Sequence, residues 1–199
     1  MNRKKAFSKF PEMRTKRLIL RKPTMKDAEW YFEYFSTPEI VWGGGEPGPK
    51  NMEAAREELR RYMIDLYQRR RGFRWIITLK GESQPIGTLG FYKWVPSAGY
   101  QAEMGYDLAR EYWGRGIMTE AMKAVIDFGF ERMELNRIEI YIMPRNKRSI
   151  KMIRNLGFKR EGLLRQRYFD EFGNFADDVL FSMLRSDWEE LREDWKKSR

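Results

Sequence analysis

The chain predicts a mixed α/β (α+β) domain, a sheet of about seven strands with helices on its faces. Three observations carry that expectation. Apolar residues alternate with period two in segments such as Phe73-x-Trp75-x-Ile77-x-Leu79 and Ile138-x-Ile140-x-Ile142. Between such segments they recur at three and four residues, as in Ile117, Ala121, Ala124, Val125 and Phe128. The resulting order, β-α-α-β-β-β-α-β-α-β-β-α, has more strands than helices and has local hairpins, unlike a regular doubly wound sheet. A length of 199 residues suits one ordinary domain.

Each element has its own signal. Residues 1–13 read as a basic flexible leader, leaving a single domain over 14–199. Arg17-Leu18-Ile19-Leu20-Arg21 is an apolar run between charges, a first strand. Thr24 can cap a helix beginning near Met25, with Asp27 in its first turn and Ala28, Tyr31, Phe32 and Phe35 at helical spacing. Gly43-Gly44-Gly45 and Pro47-Gly48-Pro49 predict a loop, with Trp42 and the glycines as a candidate acceptor-site lid. A longer helix follows Asn51, its face formed by Ala55, Leu59, Tyr62, Met63 and Leu66. Strands are expected over Phe73 to Leu79, Ile86 to Tyr92 and Gln101 to Leu108. A helix is expected from about Ile117 and a strand through Ile142. Residues 146–156 fit another helix that stops at Gly157. Two strands near 158–169 and 178–185 precede a short helix carrying Trp188, Leu191 and Trp195.

Composition narrows the chemistry. The chain has no Cys and no His, which excludes disulfides, thiol nucleophiles, zinc fingers and His-based triads or metal sites. Acid–base work falls to Asp, Glu, Tyr, Lys, a terminus or water. No apolar run approaches the ~18 residues of a membrane helix. Met1 to Pro11 lacks the apolar region of a signal peptide, so the expected compartment is the cytoplasm. The net charge is +10, and most of it lies between Pro144 and Arg167, where nine basic residues face one acid, Glu161. Such a block suits a solvated face, a polyanionic ligand or RNA.

The most informative stretch is Glu111-Tyr112-Trp113-Gly114-Arg115-Gly116-Ile117-Met118-Thr119-Glu120-Ala121. A strand ends at Leu108, a glycine-containing loop follows, and an apolar-striped helix begins. The first turn of a helix offers unpaired N–H groups and the positive end of its dipole. Glycines let that backbone approach an anion, Arg115 adds a charged donor, and Thr119 adds a hydroxyl. The loop is a candidate diphosphate cradle. It is not a dinucleotide fingerprint, since Thr119 stands where a third glycine belongs, and the G-K-[ST] ending of a phosphate-binding P-loop is missing.

Tyr112 to Ala121 resembles the acyl-CoA-binding motif of the GNAT N-acetyltransferases. Asn146-x-x-Ser149 with Leu156-Gly157-Phe158 is similar to that family's second motif. Thr15-x-Arg17-Leu18-x-Leu20-Arg21 and the run from Glu161-Gly162 to Asp178 resemble its RimJ/RimL branch, which acetylates N-terminal amines of ribosomal proteins. The resemblance spans roughly residues 14–190. It implies a GNAT fold, a mostly antiparallel mixed sheet with one splayed parallel pair formed by residues 101–108 and 137–143. It implies acetyl-CoA as cosubstrate, no metal, and direct attack of an acceptor amine on the thioester in a ternary complex.

The resemblance also distributes roles. Backbone groups of Met104, Gly105, Tyr106 and Leu108 would bond the pantetheine arm. Tyr112, Trp113, Gly114, Arg115, Gly116, Ile117, Met118 and Thr119 would form the diphosphate loop. Asn146, Arg148, Ser149 and Lys151 would meet pantetheine, the adenosine phosphates and the ribose 3′-phosphate. Glu103 is the candidate general base. The family's usual tyrosine, the acid for the leaving thiolate, is replaced by Ile153, and Tyr168 is the candidate substitute. Glu111 departs from the Gln or Arg common there, so its side chain is expected to point away from the diphosphate. The expected acceptor is a protein N-terminal α-amine. A small amine such as a polyamine, amino acid or antibiotic is the alternative, and a basic RNA- or ribosome-binding module is the rival from another class. The expected state is monomer or homodimer, with no membrane contact and nucleic acid met only through the ribosome.

Overall fold

The computed structural model describes residues 7–38, 40, 48–95, 100–169 and 173–197. The proposed lid at Trp42 and Gly43–Gly45 lies outside them. The elements in order are β1 (Met13–Arg14), β2 (Leu18–Arg21), α1 (Ala28–Phe35, entered through a short 3-10 turn at Met25–Asp27) and α2 (Met52–Leu59). Helix α2 runs on through a π-type turn, Arg60–Ile64, into α3 (Asp65–Gln68). Then come β3 (Phe73–Leu79), β4 (Pro85–Val95), β5 (Gln101–Leu108), α4 (Ile117–Glu131) and β6 (Arg137–Ile142). The chain closes with α5 (Lys147–Asn155), β7 (Lys159–Phe169), β8 (Phe175–Leu184) and α6 (Arg185–Lys197).

The strands form one eight-stranded sheet in the order β1-β2-β3-β4-β5-β6-β8-β7. Every neighbouring pair is antiparallel except β5 and β6. The crossover that makes them parallel is α4, as a parallel connection requires. The eighth strand is the two-residue β1, inside and just beyond the segment expected to be loose.

Both faces of the sheet are covered. One carries α4, α5 and α6: Ala121, Val125 and Ile126 of α4, Ile153 of α5 and Trp188 of α6 share a core with Trp75, Met104 and Ile138. The other face carries α1 and α2, where Trp30, Tyr31, Tyr34, Ala55 and Leu59 pack on Ile76. This explains why β3 is buried at six consecutive positions, although alternation alone suggests one buried face. Trp188 stacks on Phe130 at 5.2 Å and donates from Nε1 to Asp127 at 2.7 Å, which fastens α6 to α4.

Two helix starts on the α1–α2 face are capped. Asn51 Oδ1 accepts from Ala54 N at 2.9 Å and starts α2. Asp27 accepts from the Thr24 backbone N–H at 2.7 Å at the entry to α1.

The leader expectation needs correction for residues 7–13. Phe7 stacks on Phe73 at 4.5 Å, Phe10 meets Trp75 edge-on at 5.8 Å, and Trp75 Nε1 donates to the Pro11 carbonyl at 2.6 Å. The basic residues around these two rings masked their apolar role; burial of the rings outweighs the entropy of ordering the segment. Phe10→Ala should therefore lower stability by about 3 kcal/mol, the range for a buried aromatic truncation. A urea-melt midpoint equal to wild type would return this segment to the role of dispensable leader.

Candidate active site

The site begins with a fork in the sheet. β5 and β6 pair only at Gln101↔Arg137, Ala102↔Ile138 and Glu103↔Glu139. Beyond Glu103 the two strands part. β5 stays registered with β4 as far as Gly87↔Leu108, and β6 stays with β8 as far as Ile142↔Val179. The edge of residues 104–108 that faces β6 is left without a strand partner. Backbone N–H and C=O groups need partners, so this edge suits an extended ligand carrying amides. The fork is the splayed pair implied by the resemblance. The Tyr106 side chain reaches from β5 to α5, its hydroxyl buried beside Ser149 without a well-formed hydrogen bond. Burial pushes that hydroxyl up to about 12, against a smaller opposing effect of Ser149. Ser149, expected among the adenosine phosphates, thus faces the fork.

One arm of the fork leads into the glycine loop. Gly114 and Gly116 take φ of 74° and 70°, which glycine adopts without strain. No heavy atom lies within 4 Å of where a Cβ on Gly114 would be, and on Gly116 only the tip of Arg17 does, at 3.6 Å. The loop therefore leaves open space beside both glycines at the N-terminus of α4, whose Glu120 N–H already bonds the Gly116 carbonyl at 3.0 Å. Trp113 ties it to β5 by donating from Nε1 to the Leu108 carbonyl at 2.6 Å. The Arg148 guanidinium lies 4.0 Å over the Trp113 ring, and that of Arg115 lies 5.8 Å from the Tyr112 ring. Ile117 and Met118 are buried core residues, so only their backbone can serve a ligand; Thr119 is half-buried and Lys151 exposed. Glu111 is exposed. Asn146 Oδ1 accepts from Ser149 N at 3.1 Å, so the residue caps α5 and keeps its amide NH2 for other partners.

A second cluster lies at the crotch of the fork, on the face covered by α1 and α2. Glu103 accepts from Lys93 Nζ at 2.9 Å. Its register neighbour Glu139 accepts from Arg137 Nε at 2.7 Å and from the Tyr141 hydroxyl at 2.9 Å. Arg167 stacks on the Tyr141 ring at 3.6 Å and donates to Asp178 at 2.8 Å. Burial pushes Tyr141 up to about 12, with Glu139 adding to it. Burial raises Asp178 too, Arg167 opposes that, and Glu103 adds to it, which places these carboxylates within electrostatic reach. Tyr168 is paired opposite Ala176 near the tip of the β7–β8 hairpin. Ile153, where the family's tyrosine is usual, is fully buried in the core.

The neighbouring Asp107 is committed elsewhere. It forms a largely buried ion pair with Arg74 and accepts from Thr88 N at 3.0 Å and Thr88 Oγ1 at 2.7 Å. Arg74 also donates to the Gly105 carbonyl at 3.0 Å. Sequence reading missed this network, along with Glu139, Tyr141 and Asp178. Alternation places them on one face but cannot say which strands are neighbours. It also missed the bonds from Thr15 and Arg17 to Glu120, although Thr15-x-Arg17 stands in a stretch already singled out.

A cleft between diverging parallel strands, ending on a glycine-lined helix N-terminus, is the arrangement expected of a CoA-dependent acyltransferase. The Acetyltransferase (GNAT) domain family matches residues 17–159, and the chain belongs to that family. "Uncharacterized N-acetyltransferase p20" of Bacillus licheniformis is 36% identical over 87% of this chain and 96% of its own length. The "[Ribosomal protein uS5]-alanine N-acetyltransferase" of Escherichia coli is 32% identical over 54% of this chain and 55% of its own. The crystal structure of ribosomal-protein-S5-alanine acetyltransferase from Vibrio fischeri superposes with a TM-score of 0.75 at 25% identity, covering 89% of this chain and 98% of that one. A RimL structure in complex with coenzyme A shares the fold, with a TM-score of 0.76 at 20% identity over 87% and 98% of the two chains. The protein is an acetyltransferase of the GNAT class. Among the described residues no helix is long and apolar enough to cross a membrane, and no group of acids could hold a metal ion.

Two measurements test the loop. Gly116→Val puts a β-branched residue at positive φ and should weaken acetyl-CoA binding at least tenfold, roughly 1.4 kcal/mol. Calorimetry on the folded variant showing wild-type affinity would reject the cradle. Arg148→Glu combined with Lys151→Glu should weaken binding and flatten its salt dependence, because CoA is a polyanion. An unchanged salt slope would make these two cations ordinary surface charge.

Proposed function

We propose that this protein transfers the acetyl group of acetyl-CoA to the N-terminal α-amine of a protein, of the ribosomal-protein type, in the cytoplasm. The carrying observation is the fork itself. It has a backbone edge along 104–108 that lacks a strand partner, a glycine cradle at one end and Glu103 at the other. The E. coli and V. fischeri relatives named for ribosomal-protein alanine acetylation support the acceptor class.

The chemistry asks little of side chains. The acceptor arrives as an ammonium and must lose a proton before its nitrogen can attack. Glu103 faces a cation already, the Lys93 ammonium, and an incoming ammonium takes that place. The proton passes to the Glu103 carboxylate, directly or through water. The nitrogen then forms the N–C bond to the thioester carbonyl, a backbone N–H of β5 receives the oxyanion, the C–S bond breaks as the carbonyl re-forms, and the second proton shed by the nitrogen restores the one the thiolate takes. Met104, Gly105, Tyr106 and Leu108 hold the pantetheine arm through their backbone. Tyr112 to Thr119 hold the diphosphate, with Asn146, Arg148, Ser149 and Lys151 on the α5 side. Ile153 has no proton to give; Tyr168 is the donor we assign to the departing thiolate.

The test is thiol release with a peptide bearing a free N-terminal alanine, measured across pH. Glu103→Gln should lower turnover about 10²-fold at neutral pH. The loss should shrink as pH rises towards the amine's own pKa, near 8, because free amine needs no base. A pH-independent loss would assign Glu103 to positioning, and no loss at any pH would remove it from the mechanism. Turnover with small amines but with no free-N-terminus peptide would overturn the acceptor class.

A further inference from the structure

Glu120 presents a contradiction at the cradle. It lies in the first turn of α4, within one turn of the loop assigned to the diphosphate. A carboxylate suits a helix N-terminus, yet it would repel a second anion there. The structure removes the conflict. Thr15 Oγ1 donates to Glu120 Oε1 at 2.6 Å, the Arg17 backbone N–H donates to the same oxygen at 2.8 Å, and Arg17 Nε donates to Oε2 at 2.6 Å. Burial pushes the Glu120 carboxyl up, but these bonds outweigh it and hold it below its ordinary value. The carboxylate stays ionised, and it is spent on the β1–β2 turn.

The same guanidinium does a second thing. Arg17 Nη1 donates to the carbonyl of Arg115 at 2.9 Å, between the two loop glycines. A trans peptide is planar, so the C=O of residue 115 and the N–H of Gly116 point in opposite directions. Holding the carbonyl towards Arg17 turns the Gly116 N–H away from it. Without that bond the peptide is less restrained, because Gly116, on one side of it, has no Cβ to limit its rotation. The turn that presents Arg17 is itself closed, by Thr15 N to the Leu18 carbonyl and Leu18 N to Thr15 Oγ1, each at 3.0 Å.

We infer that Arg17 is a positioning residue for acetyl-CoA, fixing the donor direction of the Gly114–Gly116 loop while neutralising Glu120. The inference rests on the reading of that loop as the diphosphate cradle. A planar fork is needed, since one group must bond a carboxylate and a carbonyl at once. Lysine keeps the charge and loses that geometry.

The experiment compares binding of CoA and of pantetheine, which lacks the diphosphate, to wild type, Arg17→Lys, Arg17→Ala and Gly116→Val. Pantetheine is read by displacement, and thermal melts confirm folding. The Arg17 side chain is 42% exposed and lies outside the core, so its variants leave the core intact. The expected result is that Arg17→Lys and Arg17→Ala weaken CoA binding about tenfold, ~1.4 kcal/mol, and change pantetheine binding less than twofold. Equal losses for both ligands would mean general disturbance and overturn the inference. Wild-type CoA affinity in both Arg17 variants, with a loss in Gly116→Val, would overturn it and leave the cradle standing. Wild-type CoA affinity in all three would reject the cradle itself.

Discussion

The separation of β5 from β6 after a three-residue pairing is the constraint on which the site depends. Each strand has a better-registered partner on its other side, β4 for one and β8 for the other. Because those outer ladders persist while the inner one stops, the sheet opens without losing continuity. The backbone polar groups exposed in the gap must be satisfied, and a ligand with peptide-like amides can do so. The candidate site elements border that gap. The glycine loop caps one arm, α5 closes the side with Asn146 and Ser149, and the Glu103–Glu139 pair marks the crotch.

Electrostatics then divides the labour. The basic block between Pro144 and Arg167 is read in sequence as one uniform charge, but the fold distributes it. Lys159 is held by Asp187 at 2.6 Å, Arg167 by Asp178 at 2.8 Å, and Arg148 lies over Trp113. Lys147, Lys151 and Arg154 stay exposed on α5. At the crotch of the fork acids and bases pair off. Glu103, Glu139 and Asp178 gather there, balanced by Lys93, Arg137 and Arg167.

Rigid supports surround both ends. The buried Arg74–Asp107 pair, bonded also to Thr88 and the Gly105 carbonyl, holds β3, β4 and β5 together beneath α1. Trp113 anchors the loop to the end of β5, and Arg17 anchors it to the N-terminal strands. A site that aligns an amine with a thioester gains from such stiffness, since small displacements of reacting atoms slow the reaction greatly.

Much of this was legible in the sequence, because period and punctuation are local. Alternation gives β3, β5 and β6, helical spacing gives α4, and Gly157 ends α5. The motif residues Gly114, Gly116 and Asn146 announce a glycine turn ahead of α4 and a cap on α5 before any fold is known. The absence of His and Cys left acid–base work to Asp, Glu, Tyr, Lys, a terminus or water. What only the tertiary structure decided is long-range. Phe7 and Phe10 turn from leader into core because Phe73 and Trp75 lie beneath them. Asp107 is held in an ion pair because Arg74 comes from a strand 33 residues away in sequence. Thr15 and Arg17 reach Glu120 across more than a hundred residues. Local patterns state which way a residue faces; only chain packing states what it meets there, because contacts between distant segments leave no period in a single sequence.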